Sequence, residues 1–291
     1  MMLAPELQTE SIWVLGDLGG HLDALLEAQL PLRDGMVLPG NTIIQVGDLV
    51  HRGPQGDELV AWVAKALGGN RDPDCGTWVQ LLGNHEGHHL GGPTFQENTG
   101  GGVKEFVQSD QTIRTLQMWL HSGVAHMAAA ITHQDGNQTL VTHAGLTWHT
   151  WNSLASPADA IECAHLLNQQ PPEIAFAPGW LLGGYRQARM GGLQPPGVAW
   201  ASAAKEVYPS WEGRYGPFDQ AHGHSVPYLW KHQKWVVDYS IQARTTLFSE
   251  SRHTCFETQD GTLLWGLDPG FGPEPPRSPL VAWRAEGVVS W

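Results

Sequence analysis

The side chains best suited to hold or move charge stand where short apolar runs end. Residues 12–15 run into Gly16-Asp17, 42–46 into Gly47-Asp48, 78–82 into Gly83-Asn84-His85, and 140–141 into Thr142-His143. A short β-branched run released by a glycine just before a carboxylate reads as a buried parallel strand. Open α/β sheets bind their ligands at such strand ends. A further pair, His222 and His224, lies in Ala221-His222-Gly223-His224-Ser225. Asp and Asn oxygens together with imidazole nitrogens form the donor set of hard to moderately soft divalent cations. The spacing therefore predicts a metal centre.

The elements that must position these groups follow from periodicity. After the first strand and the Gly16 to Gly20 turn, Leu22, Leu25, Leu26 and Leu30 predict a helix ending before Pro31. That glycine-rich turn brings backbone N–H groups close to anything held at Asp17. A second helix is predicted over 58–67, on Leu59, Trp62, Val63 and Leu67. Strand, helix, strand, helix, strand is an α/β layout. Residues 87–102 hold six glycines with His88 and His89 and read as a loop beside the site. A short helix at 103–107 and one starting at Ser109, with Ile113, Leu116, Met118 and Leu120, come next. Runs 124–131 and 139–142 flank Gln134-Asp135-Gly136-Asn137, a hairpin signal that brings in antiparallel α+β character. Short strands at 235–238, 253–258 and 262–267 close the pattern, the last two joined by a turn at 259–261.

Residues 145–216 differ in kind. They carry Trp148, Trp151, Trp180, Trp200 and Trp211, with Arg186, Arg189 and Arg214, among many prolines and glycines. Helical pieces are expected near 157–167 and 202–207. The whole chain, 1–291, reads as one domain, with 145–216 as an insertion or cap over the strand ends.

Lys plus Arg number 16 against 29 Asp plus Glu, a formal charge of -13. This disfavours nucleic-acid and anionic-membrane partners, while leaving room for a metal or local basic pocket to attract phosphate. Cys75, Cys163 and Cys255 are odd in number and lack CxxC spacing, as expected of thiols in a reducing, cytoplasmic compartment. The start has Glu6 and Glu10 before its first apolar run, and neither a leader nor a membrane span is expected.

Five segments, GDLGGHLDAL (16–25), GDLVHRG (47–53), GNHE (83–86), THAG (142–145) and GHS (223–225), follow in order. Together they resemble the calcineurin-like metallophosphoesterases, and most closely their phosphoprotein phosphatase and diadenosine-tetraphosphatase branch. The resemblance implies two packed mixed β-sheets flanked by helices, with two divalent ions between them. Manganese is the first expectation; iron, zinc, cobalt and nickel accept the same ligands. Asp48 matches the carboxylate that bridges both ions. Asn84, His143 and His224 match the other ligands of one ion, and Asp17 a ligand of the second. His85 matches the imidazole that protonates the leaving oxygen, and Arg52 an arginine that grips phosphate. Two such ions clamp an in-line displacement and lower the pKa of a bridging water.

Three positions depart from the family's pattern. Gly19 stands where a histidine ligand is expected. Water, His21, His222, His88 or His89 are the candidates to complete that shell. His51 replaces the aspartate that orients the general-acid imidazole, and so joins His85 and Arg52 as a candidate catalytic residue. Near Trp200 the match is loose, and Arg214, with Arg186 and Arg189, is the candidate for a second phosphate-gripping cation. The activity implied is metal-dependent phosphoester hydrolysis, on a phosphorylated small molecule or a phosphoprotein. A dinucleoside polyphosphate, its bases stacked on the tryptophans, is the alternative within the same chemistry. A catalytically degraded metal-binding interaction module is the alternative from another class.

Overall fold

The computed structural model describes residues 6–92, 108–178, 195–274 and 278–291. The chain opens with β1 (Glu6–Leu15) and α1 (Leu22–Glu27), then a small hairpin of β2 (Leu32–Arg33) and β3 (Met36–Val37). It continues through β4 (Asn41–Gln45), α2 (Gly56–Gly69) and β5 (Thr77–Leu81). Helices α3 (Asn84–Gly87) and α4 (Asp110–Ser122) precede β6 (Ala125–His126), β7 (Ala128–His133) and β8 (Gln138–Thr142). Next come α5 (Trp148–Ser153), α6 (Ala160–Asn168) and α7 (Pro172–Ala175). Strand β9 (Asp219–His222) and a hairpin of β10 (Tyr228–Leu229) and β11 (Lys234–Trp235) follow. The last strands are β12 (Thr245–Phe248), β13 (His253–Glu257), β14 (Leu263–Gly266) and β15 (Trp283–Ser290).

Eleven strands hydrogen-bond in the order β12-β13-β14-β9-β8-β7-β15-β1-β4-β5-β6. Strands β1, β4, β5 and β6 are mutually parallel, as are β8, β9 and β14. Between the two halves, β15 runs antiparallel to β1 on one side and to β7 on the other. The two sheets implied by the resemblance are thus one mixed array, folded so that its halves face each other. Side-chain alternation shows this directly. Ile12, Val14, Ile44, Val46, Val79 and Leu81 of the first half pack against Ala129, Ile131, Val141 and Ala221 of the second and Val289 of the strand between them. Their neighbours Leu15, Ile43, Trp78, Ala128, Ala130 and Leu140 face the other way, into a core shared with the helices. That period-2 division is what strands buried on both faces require. Each fully buried Ile, Val or Leu here contributes about 1.5–3 kcal/mol.

Helix α2 shows how local sequence sets these boundaries. Leu59, Val60, Val63 and Ala66 are its buried stripe, and Asp57 and Glu58 sit in the first turn, where the helix dipole favours anions. Past Gly69, the Asn70 amide pairs with both the N–H and the carbonyl of Trp78, tying the helix end to β5. The Ser109 hydroxyl caps α4 by accepting from the Thr112 N–H, and Gly123 at φ 66 ends it. The two expected hairpins turn at Gly136 and Gly261, both at positive φ.

Several boundaries differ from the sequence reading. Helix α1 stops at Glu27, so Leu30 lies beyond it, and Leu26 is exposed. Met118 faces solvent, because the buried stripe of α4 is Thr112, Leu116 and Trp119. Only Lys234–Trp235 of the run near 235–238 is strand. The helical piece near 202–207 is a π-turn over Ala203–Val207 that continues into a helix at Tyr208–Trp211. The expected helix at 103–107 lies outside the described residues. Among the described residues no helix is long and apolar enough to cross a membrane.

Candidate metal centre

The strand ends converge. Asp17 follows β1, Asp48 follows β4, Asn84 and His85 follow β5, His143 follows β8, and His224 follows β9. All six are buried or nearly so. One ligand atom each from Asp48, His143 and His224 lies within 4.8 Å of the others. Two neighbouring glycines are required by this crowding: a Cβ on Gly83 would fall 2.1 Å from Asp48 Oδ1, and one on Gly223 would fall 2.0 Å from Asp17 Oδ1.

Proton positions follow from the partners. His143 Nδ1 lies 3.0 Å from the Val46 carbonyl, which can only accept, so Nδ1 carries the hydrogen. The Nε2 lone pair then faces Asn84 Oδ1 at 3.1 Å and Asp48 Oδ1 at 3.4 Å. His224 is hydrogen-bonded to the Trp200 backbone, and its Nδ1 lies 3.0 Å from the same Asn84 oxygen. Burial, then the neighbouring rings, holds His143 well below the usual histidine range and His224 down to about 3, so both rings are neutral. Lone pairs therefore point at one another with no proton between them, an arrangement that repels unless a cation sits among them. The donor set of one carboxylate, one amide oxygen and two imidazoles fits a divalent metal.

The carboxylates give the same sign. Burial raises Asp17 and Asp48 well above the usual range, reinforced by Asp268 and Asp48 at the first and by Glu86 at the second. A cation would reverse that cost. Asp17 Oδ1 accepts from the His224 backbone N–H, and Asp48 Oδ1 from that of His85.

The loop carrying Asp48 is held in a strained form. Asp48, His51 and Arg52 have φ of 57, 69 and 64, the left-handed region, at about 1–3 kcal/mol each. The fully buried Glu86 carboxylate offsets this by accepting from the N–H groups of Asp48, Leu49, Val50 and Gly83. Sequence reasoning missed Glu86 because its partners come from two separate loops. It also missed Asp268, although 262–267 running into an aspartate is the signal used at the other strand ends.

The remaining candidates separate clearly. His51 is buried, with Nδ1 2.9 Å from His85 Nδ1 and Nε2 2.9 Å from His89 Nε2, while His88 packs edge-on against it. His88 and His89 thus belong to an imidazole chain leading to His85, rather than to the Asp48 group. His85 Nε2 lies 3.8 Å from Asp48 Oδ2. Burial first, then His51 and Arg52, depress its basicity well below normal. His21 and His222 are buried rather than looped into solvent, and neither faces the cluster. His21 Nε2 is 2.8 Å from the Gly272 carbonyl. His222 donates from Nδ1 to the Gly223 carbonyl, which leaves Nε2 to accept from Tyr208 Oη.

Arg52 is exposed, and its charge acts on Asp48, Asp268, His85 and His224. Arg214 is committed elsewhere, its guanidinium 3.7 Å above the Trp148 ring. Arg186 and Arg189 lie outside the described residues, as does Trp180. Trp200 and Trp211 are buried in the core, and Trp151 packs against Trp211.

The model of the calcineurin-like phosphoesterase family matches residues 10–228. The chain belongs to that metal-dependent family and is a phosphoesterase. Among solved structures it is similar to a cold-active protein-tyrosine phosphatase of a psychrophilic Shewanella species. The identity is 18%, covering 87% of this chain and 76% of that one, with a TM-score of 0.44. It is also similar to a protein serine/threonine phosphatase from Saccharomyces cerevisiae that resembles human phosphatase PP5, at 15% identity over 96% and 80% of the two chains and a TM-score of 0.43. No curated protein sequence matches it.

Proposed function

We propose that this chain is a phosphatase with a dinuclear centre that hydrolyses phosphomonoesters on a small molecule or a protein. The reading is carried by the facing lone pairs of His143 Nε2, Asn84 Oδ1 and Asp48 Oδ1. Asn84, His143 and His224 would hold one ion with Asp48, and Asp48 with Asp17 would begin the shell of the other. Bound there, two divalent ions supply charge neutralisation at the phosphoryl oxygens and an acidified water for in-line attack. Manganese suits the mixed ligands, as do its neighbours in the series.

The chain's own groups supply the rest. Arg52, exposed beside the buried carboxylates, offers a guanidinium fork to two phosphate oxygens. His51 Nδ1 and His85 Nδ1 share one hydrogen. When His85 donates it and is the imidazolium, it also carries a hydrogen on Nε2, the atom that faces the cluster, and by passing that proton to the leaving oxygen it returns to the neutral ring, still hydrogen-bonded to His51. The dianionic phosphate favours charge on this ring, opposing the effect of burial. The loop 48–52, stiffened by Glu86, keeps Asp48 and Arg52 in one frame.

A single domain over 1–291, with 145–216 as its cover, is part of this reading. So is a cytoplasmic setting, in keeping with three free cysteines. Among the described residues of 145–216, base stacking by a dinucleoside polyphosphate finds little support, because Trp200 and Trp211 are core residues, Trp151 packs on Trp211 and Trp148 is covered by Arg214.

The test is phosphate release from an aryl phosphate by metal-stripped protein titrated with Mn²⁺, with Asp48→Asn as control. Turnover that rises with metal and collapses in the variant is expected. No turnover above the variant would sink the phosphomonoesterase reading and favour a polyphosphate substrate or a binding module.

A further inference from the structure

The groups gathered at the rim suit a phosphate and leave open what carries it. The hairpin of β10 and β11 bears on that choice. We infer that its outer face docks the protein part of the substrate, a phosphoprotein segment with Asp or Glu residues close to the phosphorylated side chain. This rests on the phosphatase reading and narrows its substrate to an acidic phosphoprotein.

The hairpin follows His224 closely along the chain. Ser225 is pinned by its hydroxyl, which accepts from the Ala203 N–H at 2.9 Å, and the Val236 N–H closes the base of the hairpin on the Pro227 carbonyl at 3.0 Å. Pro227 is three residues on from His224, so the base lies no more than ~11 Å from that proposed ligand. An extended peptide rises about 3.3 Å per residue, so a substrate whose phosphate is at the rim reaches the hairpin within about three to six residues.

Pairing sorts the side chains into two faces. Tyr228 lies opposite Trp235, and Leu229 opposite Lys234. Residues directly opposite share a face of the ladder, while successive residues alternate. The inner face is aromatic and half-buried: Tyr228 meets both Trp230 and Trp235 edge-on, with 5.1 Å between centroids in each case. A two-stranded ribbon this short is marginal by itself, and the ring cluster is what props it up. The outer face presents Leu229, Lys234 and Val236, with Lys231 on the 3₁₀ turn at the tip, all four exposed.

Charge names the partner. Neither lysine forms an ion pair among the described residues. The chain has a formal charge of -13, yet residues 220–237 hold Lys231 and Lys234 and no Asp or Glu; Asp238 is the first acid after them. An acidic peptide is repelled by the chain as a whole, and here it meets two unpaired ammonium groups beside an aliphatic strip. Such complementarity selects partners and orients them more than it adds affinity.

The experiment uses the full chain loaded with Mn²⁺ and three phosphotyrosine peptides of one sequence. They carry glutamate, glutamine or lysine at the third to sixth positions on both sides, and an aryl phosphate supplies the same type of leaving group without a peptide. Wild type should cleave the glutamate peptide with a kcat/KM about tenfold above that of the glutamine peptide, the scale of two exposed ion pairs. High salt should erase the difference. The double variant Lys231→Glu/Lys234→Glu should reverse the order and favour the lysine peptide, a reversal that a merely structural hairpin would not give. Wild type that cleaves aryl phosphate but treats the three peptides alike overturns the inference and returns the choice to a small molecule. A glutamate preference that survives in the double variant also overturns it, by moving the acidic contact elsewhere. No cleavage of any of the four substrates overturns the phosphatase reading, and this inference with it.

Discussion

The two halves of the proposed centre are built differently. Asp48, Asn84, His143 and His224 end β4, β5, β8 and β9, and for both rings a backbone hydrogen bond fixes which nitrogen faces inward. The half at Asp17 has a glycine at φ 49, with the Arg52 stem 3.5 Å from where a Cβ would stand. The lesson is geometric. Register in a parallel sheet brings strand ends to one rim, so residues far apart in sequence come to share one site, while a glycine at one of those ends leaves its side with fewer donors. A ring whose proton is assigned by a carbonyl is harder to relocate, because ring and carbonyl must move together.

The comparison can be broken most forcefully at the residue both halves share. Asp48→Asn should lower kcat/KM by about 10³-fold, the scale of losing a direct electrostatic contact in the transition state, and should cost both ions. Metal counts and phosphate release on the same sample check it; retention of one tightly bound ion would confine Asp48 to one half. Next are the arginines. Arg52→Ala should cost about 10–100-fold, and Arg214→Ala no more than about twofold, since the first lies by the carboxylates and the second on Trp148. Steady-state kinetics that reversed this order would move the phosphate grip into the 145–216 region.

His51→Asp puts back the family's aspartate. It removes a positive neighbour from His85 and adds a negative one, so His85 should become more basic. The alkaline limb of kcat should move to higher pH, with a gain of about tenfold. An unchanged limb would mean that His51 has no hold on His85. Glu86→Gln exchanges a charged acceptor of four N–H groups for a neutral one and should cost about 1.5–3 kcal/mol in urea unfolding. Both halves should weaken alike.

The smallest effect lies away from the rim. His253 is buried against the Val281 carbonyl, and burial lowers it to about 4. The fold favours its neutral form, so the unfolded chain takes up the proton first as pH falls below 6.5. Relative to His253→Gln, wild type should lose about 1.4 kcal/mol per pH unit between 6.5 and about 4, and nothing above that window. Parallel stability curves for the two proteins would show that the ring stays solvated.

Much of the first half was legible because β-branched runs released by glycine mark buried parallel strands, and five motifs in order fixed the rim residues. The heptad-like spacing of Leu22 to Leu30 overshot because Leu30 packs from outside the helix. His21 and His222 were illegible: a histidine beside glycine looks the same in sequence whether a carbonyl 251 residues away or solvent meets its ring. Glu86 was in view inside GNHE, but its work is done on amides of another loop. Asp268 follows the 262–267 run as the rim residues follow theirs, but lies beyond the five motifs, which end at residue 225. The tryptophans of 145–216, a base-stacking surface only in the alternative reading, were legible as aromatic mass; packing decided that Trp200 and Trp211 are core.

The place of β15 carries a consequence for synthesis. The seam between the two halves is filled by residues 283–290, which leave the ribosome after every metal ligand named above. Until then β1 and β7 each expose an unpaired edge, and the pairings that close them span most of the chain, the slow kind in folding. Strand ends from opposite halves share one rim only after that seam closes. A nascent chain paused short of residue 283 would carry the whole set of ligands with no common place to put an ion, and loading with metal would be among its last acts of maturation.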